Sequence, residues 1–197
     1  MDLHLYGGPK SRAFRVIWML EELGLDYQHS LAAPRSDEVM ALNGSGKIPV
    51  LVVDGTAISD STAILTFLAD RTGQLTFPAG SLDRARQDGW TQLINDEFDS
   101  VLWTASRHSF ALPEEYRLPE VKDSLKWEFS QSAARLSDTF EGPFLMGEAM
   151  TIADILLTHC LGWAVVAKFP DAGPKLTAYR DRMRKRPAYI RALGSAM

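Results

Sequence analysis

At 197 residues the chain has room for one large domain or two small ones, and its 46% apolar content is enough for a sizeable core. A net charge of −4 argues against a nucleic-acid binder, whose footprint is a basic patch. Cys160 is the single cysteine, which excludes an internal disulfide and a CxxC redox pair. The start Met1-Asp2-Leu3-His4-Leu5-Tyr6 lacks the basic and apolar regions of a signal peptide. No apolar run approaches the roughly 18 residues that a membrane span needs. These features lead us to expect a soluble cytoplasmic protein with neither membrane nor nucleic acid as a partner.

The first part alternates strand and helix. Leu3 to Tyr6 reads as a short strand, broken by Gly7-Gly8-Pro9. From Ser11 to Leu23 the apolar positions Ala13, Val16, Ile17 and Leu20 follow helical spacing, and Gly24 ends the helix. Leu25 to Leu31 predicts a second strand, and residues 36–42 a short helix capped by Ser36. Val50 to Ile58 alternates about Asp54-Gly55, a strong hairpin signal because type I′ turns need positive φ. A helix follows from Asp60 to Arg71, closed by Gly73. The order is βαβαββα. Residues 77–84 read as a linker between a domain over 1–76 and an all-helical domain over 85–197. Helical patterns run from Leu82 to Phe110, Val121 to Phe140 and Thr151 to Lys168, with two shorter helices after Gly173 and Pro187. The basic run Arg180 to Arg186 reads as a solvated helix end.

Two features, joined by the Asp54-Gly55 hairpin, suit recognition of a small peptide-like molecule. The Ile48–Pro49 bond is of the only type that turns cis at modest cost, and a cis bond would direct the Ile48 backbone outward. Asp60 and Ser61 open a helix, where orphan N–H groups hold a carboxylate. Ser11 opens another helix and suits an N-cap.

With these features in order, the chain resembles a cytosolic glutathione transferase of bacterial-like Ser type over essentially its whole length. The resemblance rests on Ser11-Arg12-Ala13-Phe14-Arg15-Val16 with Leu20-Glu21-Glu22-Leu23-Gly24-Leu25, on Gly46-Lys47-Ile48-Pro49-Val50-Leu51, and on Ile58-Ser59-Asp60-Ser61-Thr62-Ala63-Ile64. Gly147 followed by Met150-Thr151-Ile152-Ala153-Asp154 is similar to the family's folding signature. The chain departs from the family pattern at Asn43-Gly44, where Asn-Pro is common, and at Asp60, where Glu is usual. The resemblance implies a thioredoxin-like N-terminal domain, an all-helical C-terminal domain and a homodimer.

It also implies roles for residues. Ser11 would donate to the glutathione sulfur, with Tyr6 the rival donor and Arg12 a third candidate acting by charge. Ile48, held by Pro49, would pair with the cysteinyl part. Ser61 would hold the γ-glutamyl carboxylate, Asp60 the α-amino group, and Lys47 the glycyl carboxylate. Tyr6, Trp103, Arg107, His108 and Phe110 are candidates for the electrophile pocket, though each also suits packing or surface. Thr151 and Asp154 form a structural capping box. Cys160 reads as a buried inert thiol. The four histidines have no metal-ligand spacing, so glutathione is expected as co-substrate and no metal. The implied function is a transferase that attacks an apolar electrophile with the glutathione thiolate. The alternatives are a glutathione-dependent isomerase or peroxidase, or a non-catalytic binding or regulatory relative.

Overall fold

The computed structural model describes residues 1–194. The first elements are β1 (Leu3–Tyr6), α1 (Ala13–Leu23), β2 (Gln28–Ser30), α2 (Asp37–Leu42), β3 (Val50–Val53), β4 (Thr56–Ser59) and α3 (Ser61–Thr72). This is the expected βαβαββα order. The sheet runs β2-β1-β3-β4, with β1 parallel to β2 and antiparallel to β3. Asp54 and Gly55 join β3 to β4 with φ of 48° and 85°, the positive pair that a type I′ turn requires. Tyr6, Val50 and Ser59 are neighbours in register across three strands.

Two local expectations differ from the structure. The second strand spans Gln28–Ser30 rather than 25–31, because it is an edge strand and pairs only along β1. Ser36 sits at the N-cap of α2, but its side chain makes no cap bond and its buried hydroxyl has no partner among the described residues. Asp37 and Glu38 in the first turn complement the helix dipole instead.

The chain forms two compact units, one of Met1–Ala79 with the segment from Arg184 on, the other Gly80–Met183. The second contains α4 (Leu82–Ile94), α5 (Ser100–Ser106), α6 (Val121–Thr139), α7 (Ile152–Val166) and α8 (Pro174–Met183). The helical pattern expected over 82–110 is continuous but widens to π-helix at Asn95–Asp99 and Arg107–Ala111. Its centre is α7, buried almost all round. The α7 residue Cys160 is buried, with Sγ 4.0 Å from Asp99 Oδ2. At the α7 N-terminus the Asp154 carboxylate accepts the Thr151 and Leu145 N–H groups at 2.8 and 2.9 Å and the Tyr179 hydroxyl at 2.7 Å. Burial pushes the Asp154 carboxyl up against these bonds. The Tyr179 hydroxyl is pushed well up by burial and then by the Asp154 charge.

The sequence pattern predicts an all-helical domain over 85–197. In the structure α9 (Pro187–Gly194) belongs with the first unit and packs on α1, and positions 195–197 lie outside the described residues. Tyr189 meets Phe14 and Trp18 edge-on at 5.0 and 4.9 Å. Arg186 of the basic run is not a solvated end: it forks onto Glu22 at 2.6 and 2.9 Å. Among the described residues no helix is long and apolar enough to cross a membrane.

Candidate functional site

The register of the sheet assembles the candidate site within the first unit. Tyr6 ends β1, Val50 begins β3 and Ser59 ends β4, and these three residues stand side by side. The segments 7–11, 48–49 and 60–61 therefore leave the same end of the sheet in one row. Three adjacent strands span about 10 Å at the usual spacing. An extended tripeptide spans about the same length.

The loop after β1 is fixed by its contacts. Gly7 has φ +134°, and a Cβ on it would lie 3.0 Å from Ala13 Cβ and 3.1 Å from Ile48 Cβ. That close approach seats the start of α1 directly beside Ile48. Ser11 precedes α1, whose N-cap position is Arg12. The Ser11 hydroxyl donates to the Gly8 carbonyl at 2.7 Å and accepts the Ala13 N–H at 3.1 Å. Ser11 thus steadies the first turn of α1 at a half-buried position. A negatively charged acceptor would compete with the Gly8 oxygen for its proton, because charge-assisted bonds are roughly twice as strong.

Tyr6 has other engagements. Its hydroxyl is 3.2 Å from His4 Nδ1, and the two rings stack at 4.2 Å. His4 Nε2 in turn is 2.9 Å from Ser30 Oγ. The Tyr6 side chain packs with Ala32, Val39 and Val50, on the face of the sheet that α2 covers. Arg12 is half-buried just ahead of α1.

The Ile48–Pro49 bond is cis. The β3 ladder begins at Val50, so the Ile48 main chain lies outside it. The half-buried Ile48 packs against the cluster of Ala32, Val39 and Val50, as Tyr6 and Leu42 do. Lys47 is exposed, and its carbonyl accepts from Asn43 Nδ2 at 2.9 Å.

Asp60 caps α3 from an unusual backbone, φ 74°, and its carboxylate accepts the Thr62 and Ala63 N–H groups at 2.8 and 3.1 Å. The Ser61 N–H is the first-turn donor that the cap does not take. Ser61 is 2% exposed, and its hydroxyl accepts from Arg15 Nη1 at 3.2 Å. Arg15, on α1, is 1% exposed. Helical spacing does not single it out, because the apolar stripe falls on Ala13, Val16, Ile17 and Leu20, whereas all of Ala13–Leu20 is buried. The signal available was an arginine inside the apolar run Phe14-Arg15-Val16-Ile17.

The remaining candidates belong to the helical unit. Trp103 is half-buried on α5. Arg107 is exposed and donates to Thr104 Oγ1 at 2.9 Å. His108 Nδ1 accepts the Leu118 N–H at 3.0 Å, which ties down the following loop. Phe110 is 68% exposed. A cleft of about 200 Å³ in this unit is lined by Phe129, Leu161, Val165, Phe169 and Leu176, and not by those four residues. Among the described residues no cluster of three or more His, Cys, Asp or Glu is arranged to hold a metal.

Comparison with known proteins gives a consistent picture. The family model described as Glutathione S-transferase, N-terminal domain, matches residues 11–71, and that of the C-terminal domain matches 89–187. Glutathione S-transferase GstA of Escherichia coli O157:H7 is 31% identical over 163 residues, covering 81% of this chain and 78% of that protein. Probable elongation factor 1-gamma 2 of Arabidopsis thaliana is 28% identical over 98% of this chain, which spans only 49% of that relative's length. The solved structure of a sphingomonad glutathione S-transferase complexed with glutathione superposes with a TM-score of 0.84 at 27% identity, covering 98% of each chain.

Proposed function

The chain belongs to the glutathione S-transferase family, and on that premise we propose that it binds glutathione along the sheet end and ionises its thiol for attack on an apolar electrophile. The observation that carries this reading is the row formed by the Gly7–Ser11 loop, Ile48-Pro49 and Asp60-Ser61, matched in length to a tripeptide. The Ile48 main chain pairs with the cysteinyl residue. Ser61 receives the γ-glutamyl carboxylate through its N–H and hydroxyl at the positive end of α3. Asp60 takes the α-amino group, and Lys47 reaches the glycyl carboxylate. The sulfur then lies by the first turn of α1, where Ser11 donates to it. The C–S bond forms as the thiolate attacks an electrophilic carbon, and any leaving group departs with its electron pair. The thiol proton passes to solvent. Trp103, Arg107, His108 and Phe110 are the proposed contacts of the electrophile.

Magnitudes support one hydroxyl as sufficient. A thiol has an ordinary pKa of about 8.5, and lowering it by about two units needs roughly 2.7 kcal/mol in favour of the thiolate. A hydrogen bond to a charged group supplies roughly 1.5–3 kcal/mol, and a helix N-terminus about 0.3–1 kcal/mol. Ser11 is preferred to Tyr6 because the Tyr6 hydroxyl is held against His4 on the α2 face.

The test has two stages. Calorimetry with glutathione should give saturable binding, and its absence in folded protein ends the proposal. The thiolate ultraviolet band of bound glutathione should then titrate at higher pH in Ser11→Ala than in wild type. A shift in Tyr6→Phe alone would transfer the role to Tyr6. Turnover of a reactive aryl halide separates the enzyme from a binding relative, a distinction made pertinent by the elongation-factor relative. As a member of this family the chain is further proposed to be a cytoplasmic homodimer, and light scattering should give twice the mass of one chain.

A further inference from the structure

We propose that Arg15 is a positioning residue that turns the Ser61 hydroxyl into a dedicated donor for a ligand carboxylate, an inference that rests on the placement of the γ-glutamyl carboxylate at Ser61. The argument starts from hydrogen-bond valence. A serine hydroxyl has one proton and two acceptor sites, whereas a guanidinium only donates. Arg15 Nη1 lies 3.2 Å from Ser61 Oγ, so the oxygen must accept there and its proton must point elsewhere. The rotor is thereby biased away from α1. The same guanidinium places a permanent positive charge behind the hydroxyl.

Burial sharpens both effects. Arg15 and Ser61 are 1% and 2% exposed, so little water screens the charge or competes for the hydroxyl. The Asp60 carboxylate accepts the Thr62 and Ala63 N–H groups and leaves the Ser61 N–H. A carboxylate at this point would meet the Ser61 N–H and the Ser61 hydroxyl as paired donors, with the α3 dipole and the Arg15 charge behind them. The competing view is that Arg15 only ties α1 to α3. That view predicts a loss indifferent to the ligand's chemistry.

The experiment compares glutathione with 4-aminobutyryl-cysteinyl-glycine, which keeps the amine, thiol and glycine but lacks the γ-glutamyl carboxylate. In Arg15→Met, glutathione affinity should fall roughly tenfold or more, the scale of a bond to a charged group. Affinity for the analogue should stay within about twofold, since it presents no group for the Ser61 hydroxyl. In a Ser61→Ala background the Arg15→Met effect on glutathione should largely vanish. Arg15→Lys keeps the charge without the planar fork. It should show a smaller loss, again confined to glutathione, and it carries the same comparison if Arg15→Met proves unfolded. Equal losses for both ligands, or unaltered glutathione affinity in a folded variant, overturn the role of Arg15. Wild-type protein that binds both ligands equally, or neither, overturns instead the placement of the carboxylate at Ser61, and this inference falls with it.

Discussion

Single residues hold the proposed site in shape, and two of them separate folding from binding. Gly7 combines φ +134° with neighbours at 3.0 and 3.1 Å that are Cβ atoms and cannot swing aside. Gly7→Ala should therefore cost at least about 1–3 kcal/mol, the usual scale for a strained backbone. It should also weaken glutathione binding, because α1 and Ile48 must part to admit the methyl group. Gly8 has nothing within 4 Å of a built Cβ, so Gly8→Ala is the control and should change stability by less than about 1 kcal/mol in urea titration. Asp60 offers the complementary case. Its cap to Thr62 and Ala63 needs a side-chain oxygen but no charge, and Asn both caps helices and tolerates positive φ. Asp60→Asn should keep stability within about 0.5 kcal/mol. It should nevertheless lower glutathione affinity if Asp60 pairs with the α-amino group. Asp60→Ala should lose about 1 kcal/mol of stability as well. Melting curves paired with calorimetry on the two variants distinguish cap from ligand contact.

Helices and strands are where sequence patterns proved most and least informative. The β3–β4 hairpin was legible because Asp54-Gly55 dictates its turn, and α7 was legible because Thr151 and Asp154 announce its start. Residue type alone points to Ile48-Pro49 and Asp60-Ser61, whereas the site role expected of Ser11 comes from the family resemblance. The two π-helical stretches at Asn95–Asp99 and Arg107–Ala111 left no sequence trace, since one extra residue per turn barely alters an apolar period. Arg15 was hidden for a related reason: a stripe model of α1 assigns it to solvent, whereas the helix is enclosed on every side. The α7 cap makes a pH prediction. The Asp154 carboxyl is raised by burial, so the folded chain binds a proton more readily than the unfolded one, and this contribution to stability falls as pH rises above the ordinary 3.8. The Tyr179 bond opposes that shift. Tyr179→Phe should raise the Asp154 carboxyl further and widen the window over which stability declines with pH. Its cost should be about 2 kcal/mol where Asp154 is ionised and the lost bond is to a carboxylate, and nearer 1 kcal/mol once Asp154 is protonated. Urea titrations of both proteins at neutral and acid pH test the convergence.

At the scale of the whole chain, the first unit is closed by residues that come last. Glu22 meets Arg186 and Glu21 meets Arg191 across 164 and 170 positions of sequence. No periodicity or local motif spans such a distance, which is why the basic run from Arg180 read as a solvated end. The chemistry nevertheless suits a clasp: Trp18 Nε1 and Arg186 both donate to Glu22, at 2.9 and 2.6 Å, and the Trp18 and Phe14 rings meet Tyr189 edge-on. The helix so clasped is the one that Ser11 leads into and that carries the buried Arg15. Removing the aromatic centre of the clasp should therefore be felt at the proposed site. Tyr189 is 9% exposed, and Tyr189→Ala should cost about 3 kcal/mol through lost burial and an unfilled cavity. Arg186→Ala should cost about 1–3 kcal/mol, because its own side chain is 32% exposed but the Glu22 carboxylate it leaves is only 9% exposed. If α9 serves α1 as described, hydrogen exchange in Tyr189→Ala should accelerate across residues 13–23 and α9 while amides of α7 stay protected. Uniform acceleration through all helices would instead mean that the C-terminal segment stabilises the chain as a single cooperative body, and that its contacts with α1 have no local effect on the site.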